Sequence, residues 1–190
     1  MSKVFLLEIG TEEIPAHFLP GILEQLAQGA EGFLSAAGVD GATVKTFGTP
    51  RRMALQLLDL PAQLPDRVEE NRGPSVKIAY SADGKPSKAA QGFARGQGVD
   101  AEALEVREGY VYAVKKIAGE ETAAALAAWL DTLVNGLKFP KMMHWSNLDV
   151  RFVRPVRWLV ALLDDKVLPF ALAEVTAGNT TRGHRFLSEG

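Results

Sequence analysis

KVFLLEIGTEEIP, residues 3–15, opens the chain with a nearly continuous apolar run that stops at an acidic, proline-marked turn. Residues 3–9 read as a strand covered on both faces, because a half-solvated strand would alternate apolar and polar residues. The spacing then changes. Ile14, Phe18, Ile22, Leu26, Ala30, Phe33 and Leu34 recur at helical intervals up to Gly38, which predicts a helix capped by Thr11, with Glu12 and Glu13 at its positive end and Pro15 in its first turn. Pro20 falls inside that helix and predicts a kink. Residues 43–47 and 53–60 read as two strands joined by GTPRR, a connection suited to a hairpin.

Working outward, residues 61–98 are poor in apolar side chains and rich in turn formers (RGPS, ADGKPS), with a short strand predicted at 76–80 and a short helix at 86–95. A hairpin about Glu108-Gly109 joins 104–107 to 110–117. Leu126, Trp129, Leu130, Leu133 and Leu137 mark an amphipathic helix over 120–136. WLVALLDDKVLPFAL, residues 158–172, reads as two buried strands joined at Asp164-Asp165. Hairpins mixed with helices predict an α+β fold with mixed or antiparallel sheets and packed helices. The expected organisation is a strand, helix and hairpin at 1–60, a smaller inserted α+β module at 61–119, and a helix and hairpin at 120–190 that return to the core. The final GNTTRGHRFLSEG has no closing element and predicts a piece cut from a longer chain.

Composition narrows the function. The chain has 190 residues, 47% of them apolar and 23% charged, with 18 glycines and 10 prolines, which excludes disordered, collagen-like and mucin-like classes. A globule of this length hides roughly 70% of the surface its unfolded chain exposes, so a large core is expected. The absence of cysteine removes disulfides, thiolate metal sites and thiol nucleophiles and predicts a reducing, cytoplasmic setting. No run nears the roughly 18 to 20 apolar residues of a membrane-spanning helix. The net charge of −2 argues against a free-standing nucleic-acid binder. Locally, however, Lys138, Lys141, Arg151, Arg154 and Arg157 face a single acid, Asp149.

Most motifs fail on their chemistry. His17, His144 and His184 lack metal-ligand spacing, so no metal site is expected. In Gly84-Lys85-Pro86-Ser87 the proline interrupts what would be the end of a phosphate loop. The glycines of QGFARGQG do not follow a strand, as a dinucleotide fingerprint requires. Asn179-Thr180-Thr181 fits a glycosylation acceptor with nothing to route it to secretion. Glu8, Glu12 and Glu13 could be imagined as a carboxylate pair for hydrolysis, but helix-start electrostatics accounts for Glu12 and Glu13 more simply. FGTPRR sets two guanidinium groups at a turn, a geometry suited to phosphate or carboxylate. KFPKMMHW and RFVRPVR interleave basic and aromatic residues as nucleic-acid surfaces do, although Trp145 and Trp158 fit a core equally well.

Taken in order, LLEIGTEEIPA (6–16), FGTPRRMAL (47–55), GKPSKAAQGFARGQGV (84–99), FPKMMHW (139–145), FVRPVRWLVALLDD (152–165) and GNTTRGHRF (178–186) resemble the N-terminal part of the β subunit of bacterial glycyl-tRNA synthetase. Met142, Met143, His144 and Ser146 depart from the small, basic or glycine residues common in that family. The resemblance implies glycine–tRNA ligase, which joins glycine to tRNA(Gly) with ATP, in a tetramer of two α and two β chains. It places glycine activation, with ATP and Mg2+, on the α chain, and implies that this fragment holds no catalytic residue, cofactor or metal of its own. Modules similar to those of the phenylalanyl-tRNA synthetase β chain are also implied. Residue type and clustering nominate Arg51, Arg52, Lys141, Arg154, Arg157, Arg182 and Arg185 for tRNA phosphate contact. Two alternatives stand beside this: a scaffold that docks the α subunit without RNA, anchored by Trp129 or Trp158, and an editing-type hydrolase. No membrane partner is expected.

Overall fold

The structure, a computed structural model, describes residues 2–81, 83–144 and 151–183. The chain divides into two compact units, Met1–Leu64 with Glu120–Gly190, and Pro65–Gly119.

The first unit is a seven-stranded sheet with helices on one face. β1 (Lys3–Thr11) lies in its middle, antiparallel to β3 (Arg52–Leu60) on one side and β9 (Val156–Leu163) on the other. β2 (Thr43–Thr49) forms the edge beyond β3. On the far side β12 (Val175–Gly178) runs parallel to β9, flanked by β11 (Ala171–Leu172), while β10 (Lys166–Val167) turns back onto β9. The expected α+β class and mixed sheet are both present. Alternation sends Phe5, Leu7 and Ile9 of β1, Met53, Leu55 and Leu57 of β3, and Leu159 and Ala161 of β9 into one core. α1 (Leu19–Ala37) and α4 (Thr122–Gly136) close that core with Ile22, Leu26, Leu34, Leu126, Leu130 and Leu133.

Packing, not propensity, holds α1. Its three glycines, Gly21, Gly29 and Gly32, cost about 1 kcal/mol each relative to alanine, whereas each buried aliphatic side chain contributes about 1.5–3 kcal/mol. Gly29 has a further role, since a Cβ there would stand 2.5 Å from Leu133 Cδ1 on α4. At the seam Phe33 stacks on Trp129 at 4.7 Å, with Phe5 edge-on to the same indole at 6.5 Å. Thr122 Oγ1 donates to the Pro61 carbonyl at 2.6 Å and ties the start of α4 to the end of β3.

Pro65–Gly119 has its own small core. β4 (Arg67–Ser75), β6 (Tyr110–Ile117) and β5 (Glu105–Arg107) make an antiparallel sheet with β6 central. α2 (Val76–Ala79) and α3 (Lys88–Gln97) pack Ala79, Ala90 and Ala94 against Val111 and Ala113. Ser87 caps α3 by accepting from the Ala90 amide at 3.3 Å.

Four expectations need correction. Thr11 belongs to β1 and caps no helix; its side chain donates to the Glu12 carbonyl. The chain after β1 is held by backbone bonds to distant segments, so α1 begins only at Leu19, after a 3-10 turn at Ala16–Phe18. Pro20 therefore lies in the first helical turn, where a missing N–H costs little, and starts the helix instead of kinking it. Residues 76–79 form a helical turn and not a strand, while the polar stretch before them forms β4, an edge strand with little burial. Of the two buried strands expected over 158–172, β9 is buried but β10 is a short exposed pair; Leu168 and Phe170 enter the core from irregular chain.

Candidate nucleic-acid interface

Three segments meet at one end of the main sheet: the GTEE turn after β1, the PRR turn between β2 and β3, and the RPVR approach to β9. Backbone bonds stitch them together. The Thr11 amide donates to the Arg51 carbonyl at 2.9 Å, the Glu12 amide to Pro155 at 3.0 Å, and the Ile14 amide to Pro50 at 2.6 Å. Arginines from separate parts of the chain are thereby fixed around one rim.

Glu12 gathers two of them. Arg51 Nη2 lies 3.4 Å from Glu12 Oε2, and Arg157 Nε lies 3.2 Å from Glu12 Oε1. Arg51 also donates through Nε to the Thr11 carbonyl at 3.4 Å. Arg154 donates through Nε to the Glu13 carbonyl at 3.0 Å and through Nη1 to the Val153 carbonyl at 2.9 Å. Glu12 thus serves as an anchor for guanidinium groups, which corrects its expected role at a helix start. These ion pairs are solvent-accessible, with half of the Arg157 side chain exposed, so each is worth about 0–1 kcal/mol. Their effect is to aim the side chains.

Behind this rim lies a second carboxylate of different character. Glu8 is only 6% exposed and sits on the sheet face opposite the helices. Its Oε1 accepts from Trp158 Nε1 at 2.5 Å and from the Thr181 hydroxyl, and Arg52 Nε lies 3.3 Å from the same atom. Arg52 donates in addition to the Arg182 carbonyl. The guanidinium carbons of Arg52 and Arg182 lie 5.6 and 5.8 Å from the Trp158 ring centroid, within cation–π range. The indole itself lies over Gly10, where a Cβ would meet it at 2.0 Å.

Five of the seven nominated residues, Arg51, Arg52, Arg154, Arg157 and Arg182, fall into this assembly. They divide by what they do. Arg51, Arg154 and Arg157 occupy the rim, whereas Arg52 is engaged by Glu8 and the Arg182 carbonyl. Lys141 is exposed on the connection from α4 to β7 (Met143–His144) and makes none of these contacts; Arg185 lies outside the described residues, as do Trp145, Ser146 and His184. β7 pairs with β8 (Arg151–Phe152), and Arg151 Nε donates to His144 Nε2 at 2.9 Å. The nominated list lacked Glu8, Gly10 and Thr181. A signal for Glu8 was present: it is the one acid inside an otherwise apolar strand, in phase opposite to Phe5, Leu7 and Ile9. Among the described residues no group of three or more His, Asp or Glu side chains is placed to hold a metal, and no helix is long and apolar enough to cross a membrane.

A family model described as the glycyl-tRNA synthetase beta subunit matches residues 5–190. Curated relatives named glycine–tRNA ligase beta subunit include those of Geobacter sulfurreducens, 48% identical over 99% of this chain, Desulfitobacterium hafniense (strain DSM 10664 / DCB-2), 47% identical over 98%, and Moorella thermoacetica, 47% identical over 100%. An α+β fold bearing an arginine-lined rim is thus joined to one family throughout its length. The chain belongs to the glycyl-tRNA synthetase beta subunit family. It spans 28% of the length of these relatives.

Proposed function

We propose that the arginine rim grips the sugar–phosphate backbone of tRNA(Gly) as part of a glycine–tRNA ligase, the enzyme that converts ATP, glycine and tRNA(Gly) to glycyl-tRNA(Gly), AMP and diphosphate. Glycine activation, with ATP and Mg2+, falls to a separate α subunit in a cytoplasmic tetramer of two α and two β chains. This region supplies no reacting group, and its contribution is placement. Orientation of a reactant can be worth about 7–11 kcal/mol of barrier in favourable cases, so a subunit without catalytic side chains can still be required for transfer.

The observation that carries this reading is the convergence of Arg51 from the PRR turn and of Arg154 and Arg157 from the RPVR segment onto one rim, both segments stitched by backbone bonds to the GTEE turn. A carboxylate that holds a guanidinium fork in place costs it little reach toward phosphate, because Arg offers five donors. Arg52 and Arg182 support the rim from beneath. No observation favours the hydrolase alternative, since each Glu12 oxygen is faced by an arginine.

The test is the Arg51→Gln, Arg157→Gln double variant in the full-length enzyme reconstituted with its α subunit. Its apparent KM for tRNA is expected to rise and the salt dependence of binding to flatten by up to about two units. Identical kinetics across salt concentrations would remove the rim from tRNA recognition.

A further inference from the structure

The nearly continuous apolar run of β1 predicts a strand covered on both faces, and α1 and α4 account for one of them. Cross-strand register puts Val4 and Leu6 of β1, Leu58 of β3 and Leu162 of β9 on the other face, between Phe47 on β2 and Val167 on β10. Phe47 is 54% exposed, and Val4 and Val167 are exposed as well. A sheet face meant for water carries polar residues at its outward positions. This one carries aliphatic side chains there, and contiguous apolar surface marks a contact. Charges stand at its margin: Lys45 on the edge strand, Asp59 in a left-handed conformation near the end of β3, and the Lys3–Asp164 pair. Of the charged strand positions further in, Glu8 and Arg52 face each other. The middle of the face thus offers a polyanion little to hold.

The path of the chain points to the cover. Beyond β12, Thr181 donates to Glu8 on β1, and the Arg182 carbonyl accepts from Arg52 on β3. The strands run in the order β12, β9, β1, β3, so residues 179–182 form a strap that crosses the open face above β9 and β1. The chain makes up only 28% of the length of its relatives. We infer that the open face of the main sheet is the seat of a segment of the same polypeptide, the one that follows residue 190 in the full-length chain.

The strap decides between this occupant and the others. A segment whose root is pinned above the face meets it intramolecularly, at an effective concentration in the millimolar range for a short tether. A second copy, or another subunit, must instead give up its translational and rotational freedom to arrive there. Aliphatic side chains in register also suit a further packed layer, since a sheet face of this kind is stable when a second element buries it. The sheet then lies between two layers of its own chain, and this face is closed to tRNA and to other subunits.

The experiment uses the full-length chain with its α subunit and tRNA present. Phe47→p-benzoylphenylalanine and Val167→p-benzoylphenylalanine, made singly, place a photocrosslinker at opposite sides of the face. Solvent already reaches both positions, so neither replacement disturbs the core. Mixtures of isotopically light and heavy chains are irradiated, digested and mapped by mass spectrometry. Both positions are expected to join peptides beyond residue 190 of the same chain, with at least about tenfold more unmixed than mixed light–heavy product, and with a yield that dilution leaves unchanged. Mixed products would give the face to a second copy, and adducts with the α subunit or tRNA would give it to those partners. Adducts confined to residues 1–190, or no adducts, would show that the following segment does not sit there. Each of these results overturns the inference.

Discussion

Gly10 of β1 and Trp158 of β9 are direct cross-strand partners, and the indole occupies the space a residue-10 side chain would need: a Cβ there would lie 2.0 Å from Cδ2 and Cε2. A backbone position without a side chain is therefore what lets Trp158 lie flat and present Nε1 to Glu8. Gly10→Ala is expected to displace the ring and lower stability by about 2–3 kcal/mol, a drop of roughly 5–10 °C in Tm for a domain of this size. Thermal unfolding followed by circular dichroism checks this. An unchanged Tm would mean that the ring finds another seat at no cost.

Glu8 Oε1 accepts from Trp158 Nε1 and the Thr181 hydroxyl and stands 3.3 Å from Arg52 Nε, so its removal leaves two donors without their shared acceptor and Arg52 without its counter-charge. Glu8→Ala is expected to cost about 2–3 kcal/mol, because hydrogen bonds to a charged group carry about 1.5–3 kcal/mol and the orphaned donors lose solvation. Glu8→Gln keeps an acceptor oxygen and should cost less, about 1 kcal/mol. Urea unfolding of both variants tests the order, and equal losses would show that shape rather than the shared oxygen matters.

Glu12 tempers the rim it organises. Replacing it with Gln preserves the side chain's shape while freeing Arg51 and Arg157 from a negative neighbour. If the rim binds tRNA, Glu12→Gln should tighten binding about fivefold at low salt, the equivalent of about 1 kcal/mol for one charge at close range in a water-like medium. Filter binding or fluorescence anisotropy at several salt concentrations reads the effect, which should shrink as salt rises. A weaker complex would show that Glu12 contributes by aiming the arginines more than it costs by its charge.

Lys3 and Asp164 tie the start of β1 to the turn after β9, with Lys3 Nζ 2.8 Å from Asp164 Oδ2 and the Val4 amide 2.9 Å from Oδ1. The Lys3 hydrogen bond, reinforced by the Val4 amide, holds the Asp164 carboxyl below its ordinary value of 3.8. The Asp164 hydrogen bond in turn raises Lys3 above 10.5. A depressed carboxyl stabilises the fold above its unfolded pKa and loses that contribution as pH falls through the folded one. A raised amine contributes below its unfolded pKa and loses its share as pH rises through the folded one. The pair therefore acts between about pH 4 and pH 10.5. The stability difference between the unsubstituted protein and Asp164→Asn should be flat near neutrality and narrow on the acid side below pH 4; a difference that persists unchanged at pH 2.5 would contradict the assignment.

Local chemistry was legible in the sequence, and distant partnership was not. Glu108 and Gly109 read as a two-residue hairpin turn, and both adopt positive φ, 50° and 80°, as a primed turn demands. α4 followed from its apolar spacing alone. β4 was missed because an edge strand of mostly polar residues carries little hydrophobic signal; what makes it a strand is the ladder to β6, more than forty positions away at its start. The helix start was misplaced because Glu12 and Ile14 spend their amides on Pro155 and Pro50, partners that propensity does not see. Residue type alone nominated the arginines. Which of them are free for a ligand and which are consumed depends on Glu8 and Thr181, 173 positions apart in the chain.

Leu64 and Glu120 are joined by a backbone hydrogen bond of 2.9 Å, and the Thr122 amide reaches the Ala62 carbonyl at 3.1 Å. The segment between them leaves and re-enters the host domain at neighbouring positions, held side by side by these two backbone hydrogen bonds. To the host, the guest is a closed loop, and doubling the length of such a loop adds only about 0.6 kcal/mol of closure entropy. Lengthening the segment between these two positions is therefore expected to add little closure entropy to the folding of the host domain.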